Sequence, residues 1–308
     1  MKISAIRLSL LVATALVVMA VAASAQQQPD FSKVQIKTTK ITDNFYTLEG
    51  QGGTIGVLTG PDGVFMVDAQ FAPLTDKIVA AIKQISDKPI RFMVNTHVHG
   101  DHTGGNANLA KLGVTILARP ELRDRLRQPA AGANPSTPAP REAWPLITYN
   151  DRVVIHMDGD NVQLIPIRRA HTDGDTLVRF PANDVIMTGD FYRSVGFPNI
   201  DRINGGSLNG MINGLGEVIG LAGPKTKIIP GHGPTVDRNA VVAHRDMIIE
   251  IRDRVAKLVR EGKSEQEVAA AKPLGDFESK VPQAGTSGER FVGQLYAELK
   301  AAQLPNRP

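Results

Sequence analysis

The stretch His97-Val98-His99-Gly100-Asp101-His102 decides how this sequence is interpreted, because it places four metal-capable side chains within six residues. It directly follows an apolar run that predicts a strand. In an extended backbone His97 and His99 point the same way and can share one ion, whereas Asp101 and His102 lie past a glycine and can turn toward a second ion. The stretch therefore predicts a metal site on a loop that leaves a strand.

Three further polar residues, His171, Asp190 and His232, each have a glycine nearby that lets the backbone turn sharply. The strand-like runs before them are Leu164 to Ile167, Val185 to Met187 and Thr226 to Ile229. These runs can bring all three residues to one sheet edge, beside the first stretch. An isolated pair of histidines is as often a surface cluster, but this larger set favours a metal centre.

Two histidines fall outside this pattern. His156 sits in the alternating run Val153 to Met157, and His244 lies in a helical stretch from Asn239 to Gly262. We expect both to be solvated or core histidines.

The whole constellation resembles the metallo-β-lactamase superfamily over about residues 40 to 260. This resemblance implies an α/β fold, a four-layer αβ/βα sandwich, with two Zn²⁺ ions per chain between the edges of its two sheets. It implies that His97, His99 and His171 hold one ion, that Asp101, His102 and His232 hold the other, and that Asp190 bridges the two. Asp68 matches an early aspartate of the family that supports the site, although a turn or cap after a strand would also explain it.

The first 25 residues read as a secretory signal peptide, with Lys2 and Arg7 before an apolar segment and Ala23-Ser24-Ala25 as the cleavage site. A membrane anchor is the alternative, but the apolar segment is short for a span and ends in small residues. We therefore expect a periplasmic or secreted protein with no stable membrane anchor after cleavage. Residues 26–308 would form a single domain, with its core at about 40–260 and a C-terminal helical extension at 264–308.

Composition excludes several classes of protein. The sequence has no cysteine, so neither disulfides nor thiolate ligands contribute. Without Lys2 and Arg7 the chain carries 33 basic and 31 acidic residues, and no basic run with interleaved aromatics appears, so nucleic-acid binding has little support. Oligomeric state is left open.

Alternating strand and helix patterns agree with an α/β fold. Helices are predicted over 73–86, 106–112, 120–128 and 239–262, and two C-terminal helical patterns over 265–271 and 288–302. The glycine-rich turn at 50–53 predicts a hairpin, which in the family overhangs the metal site. Residues 129–145 predict a long loop, with Trp144 lining the pocket mouth or packing this loop onto the core.

Two divalent ions would share a hydroxide that attacks an amide or ester carbonyl, and Asp101 would orient this hydroxide. The ligand types do not separate zinc from iron or manganese. With two carboxylates, Asp101 and Asp190, the centre keeps a positive charge that favours an anionic small-molecule substrate. The leading interpretation is that the protein is an exported hydrolase of the metallo-β-lactamase type, with weak β-lactam hydrolysis.

Asp190 counts against an efficient β-lactamase, because true lactamases resembling this chain carry Cys or Ser there. Arg193 could pair with a substrate carboxylate or be a solvated loop residue, and Tyr192 could donate to an oxyanion or pack. Asn199 and Asn204 are further pocket candidates. The alternatives are a lactonase, esterase or thioesterase on non-antibiotic substrates and a non-catalytic zinc-binding periplasmic protein. A glutathione thioesterase is disfavoured because no glutathione-binding domain is recognised and export removes glutathione.

Overall fold

The computed structural model describes residues 30–282 and 284–303; the predicted signal peptide lies outside the described residues. The described residues form twelve strands and nine α-helices. The strands are β1 (Lys37–Lys40), β2 (Phe45–Glu49), β3 (Ile55–Gly60), β4 (Gly63–Val67), β5 (Ile90–Val94), β6 (Thr115–Ala118), β7 (Ile147–Thr148), β8 (Val153–Met157), β9 (Asp160–Pro166), β10 (Thr176–Phe180), β11 (Val185–Met187) and β12 (Lys227–Ile229). The helices are α1 (Thr75–Lys83), α2 (Gly100–Thr103), α3 (Asn106–Lys111), α4 (Pro120–Arg127), α5 (Leu208–Leu221), α6 (Arg238–Arg260), α7 (Glu265–Ala270), α8 (Phe277–Lys280) and α9 (Gly288–Gln303).

Two mixed sheets form the centre of the fold. The first sheet has the order β1-β2-β3-β4-β5-β6-β7, antiparallel from β1 to β4 and parallel from β4 to β7. The second has the order β12-β11-β10-β9-β8, in which β11 and β12 pair in parallel and the other neighbours are antiparallel. Strands β5, β11 and β12 each end where a predicted metal-ligand segment begins.

Three large apolar clusters separate four layers. One cluster joins inward side chains of both sheets, including Phe65 and Phe180. A second packs α1 and α3 against the outer face of the first sheet, and a third packs α5, α6 and α9 against the outer face of the second. The central strands are therefore buried on both faces, which explains why β3, β4 and β11 read as continuous apolar runs, whereas β1 and β8 at the sheet edges are partly exposed. The predicted αβ/βα sandwich is confirmed.

Helix α5 was not expected from the sequence, because it contains four glycines, which disfavour a helix. Two of these glycines are required by close packing. A Cβ at Gly210 would overlap the carbonyl oxygen of Arg169, and one at Gly214 would lie 2.8 Å from a methyl of Ile167. Tertiary packing thus outweighs local propensity in this segment.

The proline-rich loop and the C-terminal helices agree with their predictions. Trp144 donates from Nε1 to the carbonyl of Ala139 at 3.0 Å and packs with Leu122 and Leu126 of α4, so it anchors the loop to the core. Helices α7 and α9 cover the outer layer of the second sheet, as expected for the C-terminal extension. The described residues contain no helix with the length and apolarity needed to cross a bilayer.

Candidate metal centre

Backbone hydrogen bonds tie together the segments that carry the predicted ligands. The amide of Thr176 donates to the carbonyl of Thr96 at 2.8 Å, which joins the two sheets. Within the second sheet, the amide of Gly231 donates to the carbonyl of Gly189 at 2.8 Å, and the amide of Thr54 in turn donates to the carbonyl of Gly231 at 2.8 Å. The loops after β5, β11 and β12 therefore meet at one edge of the sandwich.

The structure brings all seven predicted ligands together in two groups, in each of which one ligand atom per residue lies within 4.8 Å of the others. The first group is His97, His99, His171 and Asp190, all buried, and the second is Asp101, His102 and His232.

Asp190 lies between the groups. Its Oδ1 is 3.4 Å from Nε2 of His102 and 3.3 Å from Nε2 of His232, whereas its Oδ2 is 4.0 Å from Nε2 of His171. This position agrees with the bridging role that the resemblance implies.

In the first group, two imidazoles are each oriented by a hydrogen-bond acceptor on the side of the ring that faces away from the cluster. Nδ1 of His171 donates to the carbonyl of Asn199 at 2.7 Å, and Nε2 of His99 donates to Oδ2 of Asp201 at 2.7 Å. The opposite ring nitrogens, Nε2 of His171 and Nδ1 of His99, face each other at 3.0 Å. With protons assigned to the bonded outer nitrogens, both inner nitrogens present lone pairs, as metal ligation requires.

Asp68 orients His97 and His102 in a similar way. Its Oδ2 accepts from Nδ1 of His102 and from the hydroxyl of Thr96, each at 2.7 Å. Because that hydroxyl donates to Asp68, its oxygen accepts from Nδ1 of His97 at 3.1 Å. Asp68 therefore supports the site, as the resemblance implies.

The donor set fits a divalent cation. Nε2 of His97 is fully enclosed and has no hydrogen-bond partner among the described residues, which is costly for a buried polar atom. It faces the cluster of inward nitrogens and carboxylates. Imidazole nitrogens and carboxylate oxygens are ligands that zinc accepts.

The ionisation of two buried histidines also suits a cation. Burial, together with neighbouring imidazoles, lowers the pKa of His97 well below its usual value and that of His171 to about 4. Both rings are therefore neutral near pH 7, the form that binds metal.

The carboxylates of the centre are ionised. Burial raises the pKa of Asp101, but His102 and His232 outweigh it and bring the value to about 2. Burial also raises the pKa of Asp190, and the same two histidines outweigh it and hold that pKa well below its usual range. Conversely, burial lowers the pKa of His102, and the carboxylates of Asp68, Asp101 and Asp190 outweigh it and raise it. A cation would have to displace that proton, so acid weakens binding.

The hairpin turn between β2 and β3 packs directly on the centre. The amide of Gly53 donates to the carbonyl of Asp101 at 3.1 Å, and a Cβ at Gly53 would overlap the imidazole of His102. Gln70, which sequence analysis passed over, donates from Nε2 to the carbonyl of Gly53 at 2.7 Å. The expected hairpin therefore lies over the centre, and the side chain of Gln70 holds its turn in place.

Arg193 lies at the centre, as predicted. Its Nη1 is 3.8 Å from Oδ2 of Asp190, the side chain is 14% exposed, and its Nε has no partner among the described residues. Arg193 therefore brings a mostly buried positive charge to the centre, which favours an anion there.

Tyr192 is not brought to the centre, which corrects the expectation of an oxyanion donor. Its ring packs edge-on against His244 of α6, with centroids 5.0 Å apart, inside the outer apolar cluster of the second sheet. Burial and the carboxylate of Asp237 raise the pKa of its phenol to about 12. Burial of the ring in the core determines its direction.

Of the remaining residues that sequence analysis singled out, two asparagines lie near the centre and two histidines lie away from it. Asn199 and Asn204 belong to the loop behind the first group, but sequence analysis missed Asp201 between them, because no spacing distinguishes it from a turn-forming residue. His156 is exposed and bonded to Asn161, and His244 is half-buried against the ring of Tyr192 with its Nε2 enclosed, so neither belongs to the centre, as expected.

Comparison with known proteins identifies the family. Residues 48–239 match the model of the metallo-beta-lactamase superfamily, which covers more than half of the chain. The chain belongs to the metallo-beta-lactamase superfamily.

Individual relatives are distant. The chain is 22% identical over 255 residues to a linear primary-alkylsulfatase of Pseudomonas sp., covering 69% of this chain and 48% of that protein. It is 29% identical over 154 residues to a hydroxyacylglutathione hydrolase of Pelagibacter ubique, covering 49% and 56%. The chain thus spans about half the length of these curated relatives. The crystal structure of DIM-1 metallo-beta-lactamase matches with 18% identity and a TM-score of 0.58, covering 70% of this chain and 98% of that one.

Proposed function

We propose that this protein is a dinuclear zinc hydrolase that opens ester or amide carbonyls of small, anionic substrates. One observation carries the proposal: four buried imidazoles turn a nitrogen inward, while the other nitrogen of each is hydrogen-bonded to a group behind it. Such outer partners are typical of metal-ligating histidines. Asp101, Asp190 and His232 complete the two groups.

When bound, two divalent ions in such a centre supply a water of lowered pKa and polarise the scissile carbonyl. The protein's own residues supply orientation and charge. Asp101 is ionised and its side chain is 22% exposed, so it can accept a hydrogen bond from the attacking water and direct it. The positive charge of Arg193, whose side chain is 14% exposed, can attract a negative group of the substrate.

Oxygen and sulfur esters, including lactones, fit this centre better than antibiotic β-lactams. Asp190 supplies a carboxylate where the lactamases that this chain resembles carry Cys or Ser. Similarity to a protein named hydroxyacylglutathione hydrolase points the same way. Weak β-lactam hydrolysis stays compatible with the proposal.

The test is a substrate panel on the purified protein, with zinc content determined on the same sample. The panel contains an acyl-homoserine lactone, an acyl thioester and a chromogenic cephalosporin. We expect two zinc ions per chain and turnover of the lactone or thioester, which the double substitution His97→Ala/His99→Ala abolishes. Bound zinc without turnover of any carbonyl substrate, or of the alkyl sulfate considered next, would instead favour a non-catalytic zinc-binding protein.

Sulfate-ester hydrolysis is a second candidate. The observation that favours it is the similarity to a linear primary-alkylsulfatase over 69% of the chain, a longer stretch than the thioesterase match. A sulfate ester is anionic and suits the positive centre that Arg193 adjoins. Release of inorganic sulfate from a linear alkyl sulfate, sensitive to the same double substitution, would select this candidate over the first.

We also propose that the protein is exported to the periplasm or secreted. The support is the sequence of residues 1–25, with its basic start, apolar segment and Ala-Ser-Ala cleavage site. Cell fractionation and N-terminal sequencing test this proposal, and we expect a mature chain that begins at Gln26.

A further inference from the structure

The loop at residues 199–204 lies directly behind the first ligand group. The carbonyl of Asn199 accepts from His171, and the carboxylate of Asp201 accepts from His99. The amide of Asp201 also donates to the carbonyl of His171 at 2.9 Å. Two of the three histidines in this group therefore take their orientation from three consecutive residues.

These three residues are held by a side chain of the C-terminal helix α9. Oε1 of Gln294 accepts from the amide of Ile200 at 3.0 Å, and its Nε2 donates to Oδ1 of Asn199 at 2.9 Å. A single amide thus fixes both the backbone and the side chain of the segment. Helix α9 lies beyond residues 48–239, the part that matches the family model.

Loop and helix also share an apolar contact, because Ile200 is buried in the same outer cluster as Phe291 and Leu295 of α9. The residues after Ile200 pack less closely: a cavity of about 600 Å³ lies beside Asp201–Ile203, and its lining includes Gly293 and Ala297 of α9. Asp201 is braced from the other side by Asn204, whose amide nitrogens donate to it at 3.1 and 2.8 Å. The two bonds of Gln294 therefore add specific hydrogen bonds from α9 to the segment that orients His171 and His99.

We propose that Gln294 is a positioning residue for the first ligand group, through which the C-terminal extension sets its metal affinity. The helix itself is docked independently, because Phe291, Val292 and Leu295 are buried in the outer cluster. Replacing Gln294 removes both hydrogen bonds to the segment while leaving α9 and Ile200 packed in the cluster. This inference rests on the proposed metal centre.

The test measures zinc affinity by competition with a chromophoric chelator, on the full chain carrying His232→Ala so that only the first group stays complete. In this background we expect Gln294→Leu to weaken zinc binding roughly ten-fold, the lower range for loss of an outer partner. Gln294→Glu should keep most of the affinity, because its carboxylate still accepts from Ile200 and a rotated Asn199 amide can donate to it.

Glu298→Leu is the matched control on the same helix. The Glu298 carboxylate accepts from the amide of Leu208 at 3.0 and 2.9 Å, which ties α9 to α5 and not to the loop. We expect it to lower the Tm without changing zinc affinity. Equal loss of affinity in both leucine variants, or none in Gln294→Leu, would overturn the inference alone. Absence of zinc binding in the unsubstituted protein would overturn the proposed function as well.

Discussion

Asp68 accepts a hydrogen bond from Nδ1 of His102 at 2.7 Å, and both side chains are almost completely enclosed. Asp68 adopts φ of +66°, a left-handed conformation that aspartate and asparagine tolerate better than most residues. Since it also accepts from Thr96 beside His97, one carboxylate connects both ligand groups.

Asp68→Asn should weaken zinc binding at the second group by about ten- to a hundred-fold, because the amide lacks the charge that supports the His102 ring. Asparagine keeps the shape and the left-handed backbone, so the fold should persist. Zinc stoichiometry after dialysis measures the effect. Asp76→Asn, at an exposed position of α1, is the control, and equal zinc loss in both variants would contradict the prediction.

Gly53→Ala should displace His102, because the added methyl would overlap its imidazole. We expect loss of the second zinc ion and of turnover. Gly220→Ala is the matched control, since its Cβ would meet nothing within 4 Å in helix α5. That control should raise stability by about 0.5–1 kcal/mol in urea unfolding. Full zinc occupancy in Gly53→Ala would contradict the prediction and would show that the hairpin can shift to accommodate the methyl group.

Metal removal should lower the Tm as well as activity. The inward nitrogens and two carboxylates lose their common partner, and Nε2 of His97 has none among the described residues. Thermal unfolding before and after chelation, with zinc content verified, measures this linkage. A Tm that chelation leaves unchanged would mean that the fold tolerates the empty ligand set.

Acid should destabilise the fold through His244. Burial lowers the pKa of this ring to about 4 from a usual value of 6.5, so the neutral form is favoured when folded. Its contribution is fully present above pH 6.5 and is lost as the pH falls toward 4, by at most about 1.4 kcal/mol per pH unit. His244→Phe should therefore gain stability relative to the unsubstituted protein over that range.

Urea unfolding at several pH values tests this prediction. His156→Phe, at an exposed position, should show no such relative gain. A stability difference between His244→Phe and the unsubstituted protein that is constant with pH would exclude His244 as the source.

The ligand loops were predictable because a strict local rule governs them. Each begins where a buried strand ends, so short apolar runs followed by polar residues reveal both the strand and the loop. The arrangement of the seven ligands into two groups came from the family resemblance. The structure places them accordingly.

The remaining features depend on contacts distant in the sequence. Asp201 reaches His99 across 102 positions, and Gln294 reaches Ile200 across 94, so no local spacing signals either contact. Helix α5 could not be predicted because its glycines disfavour a helix locally, and the close packing that requires two of them is visible only in the structure. Tyr192 was misjudged because a loop residue has no periodicity from which to infer its direction.

The positions of the ligands along the chain determine when, during synthesis and folding, each ligand group becomes complete. Residues up to β7 contain two members of each group, and each group is completed by residues of the second sheet, with His232 the last to be synthesised. A nascent chain that has not yet folded its second sheet has two ligands in each group and would hold a metal ion only loosely. In the proposed dinuclear centre, uptake of both ions would therefore follow translation and folding of the whole sandwich, and metal occupancy would report that both sheets have assembled.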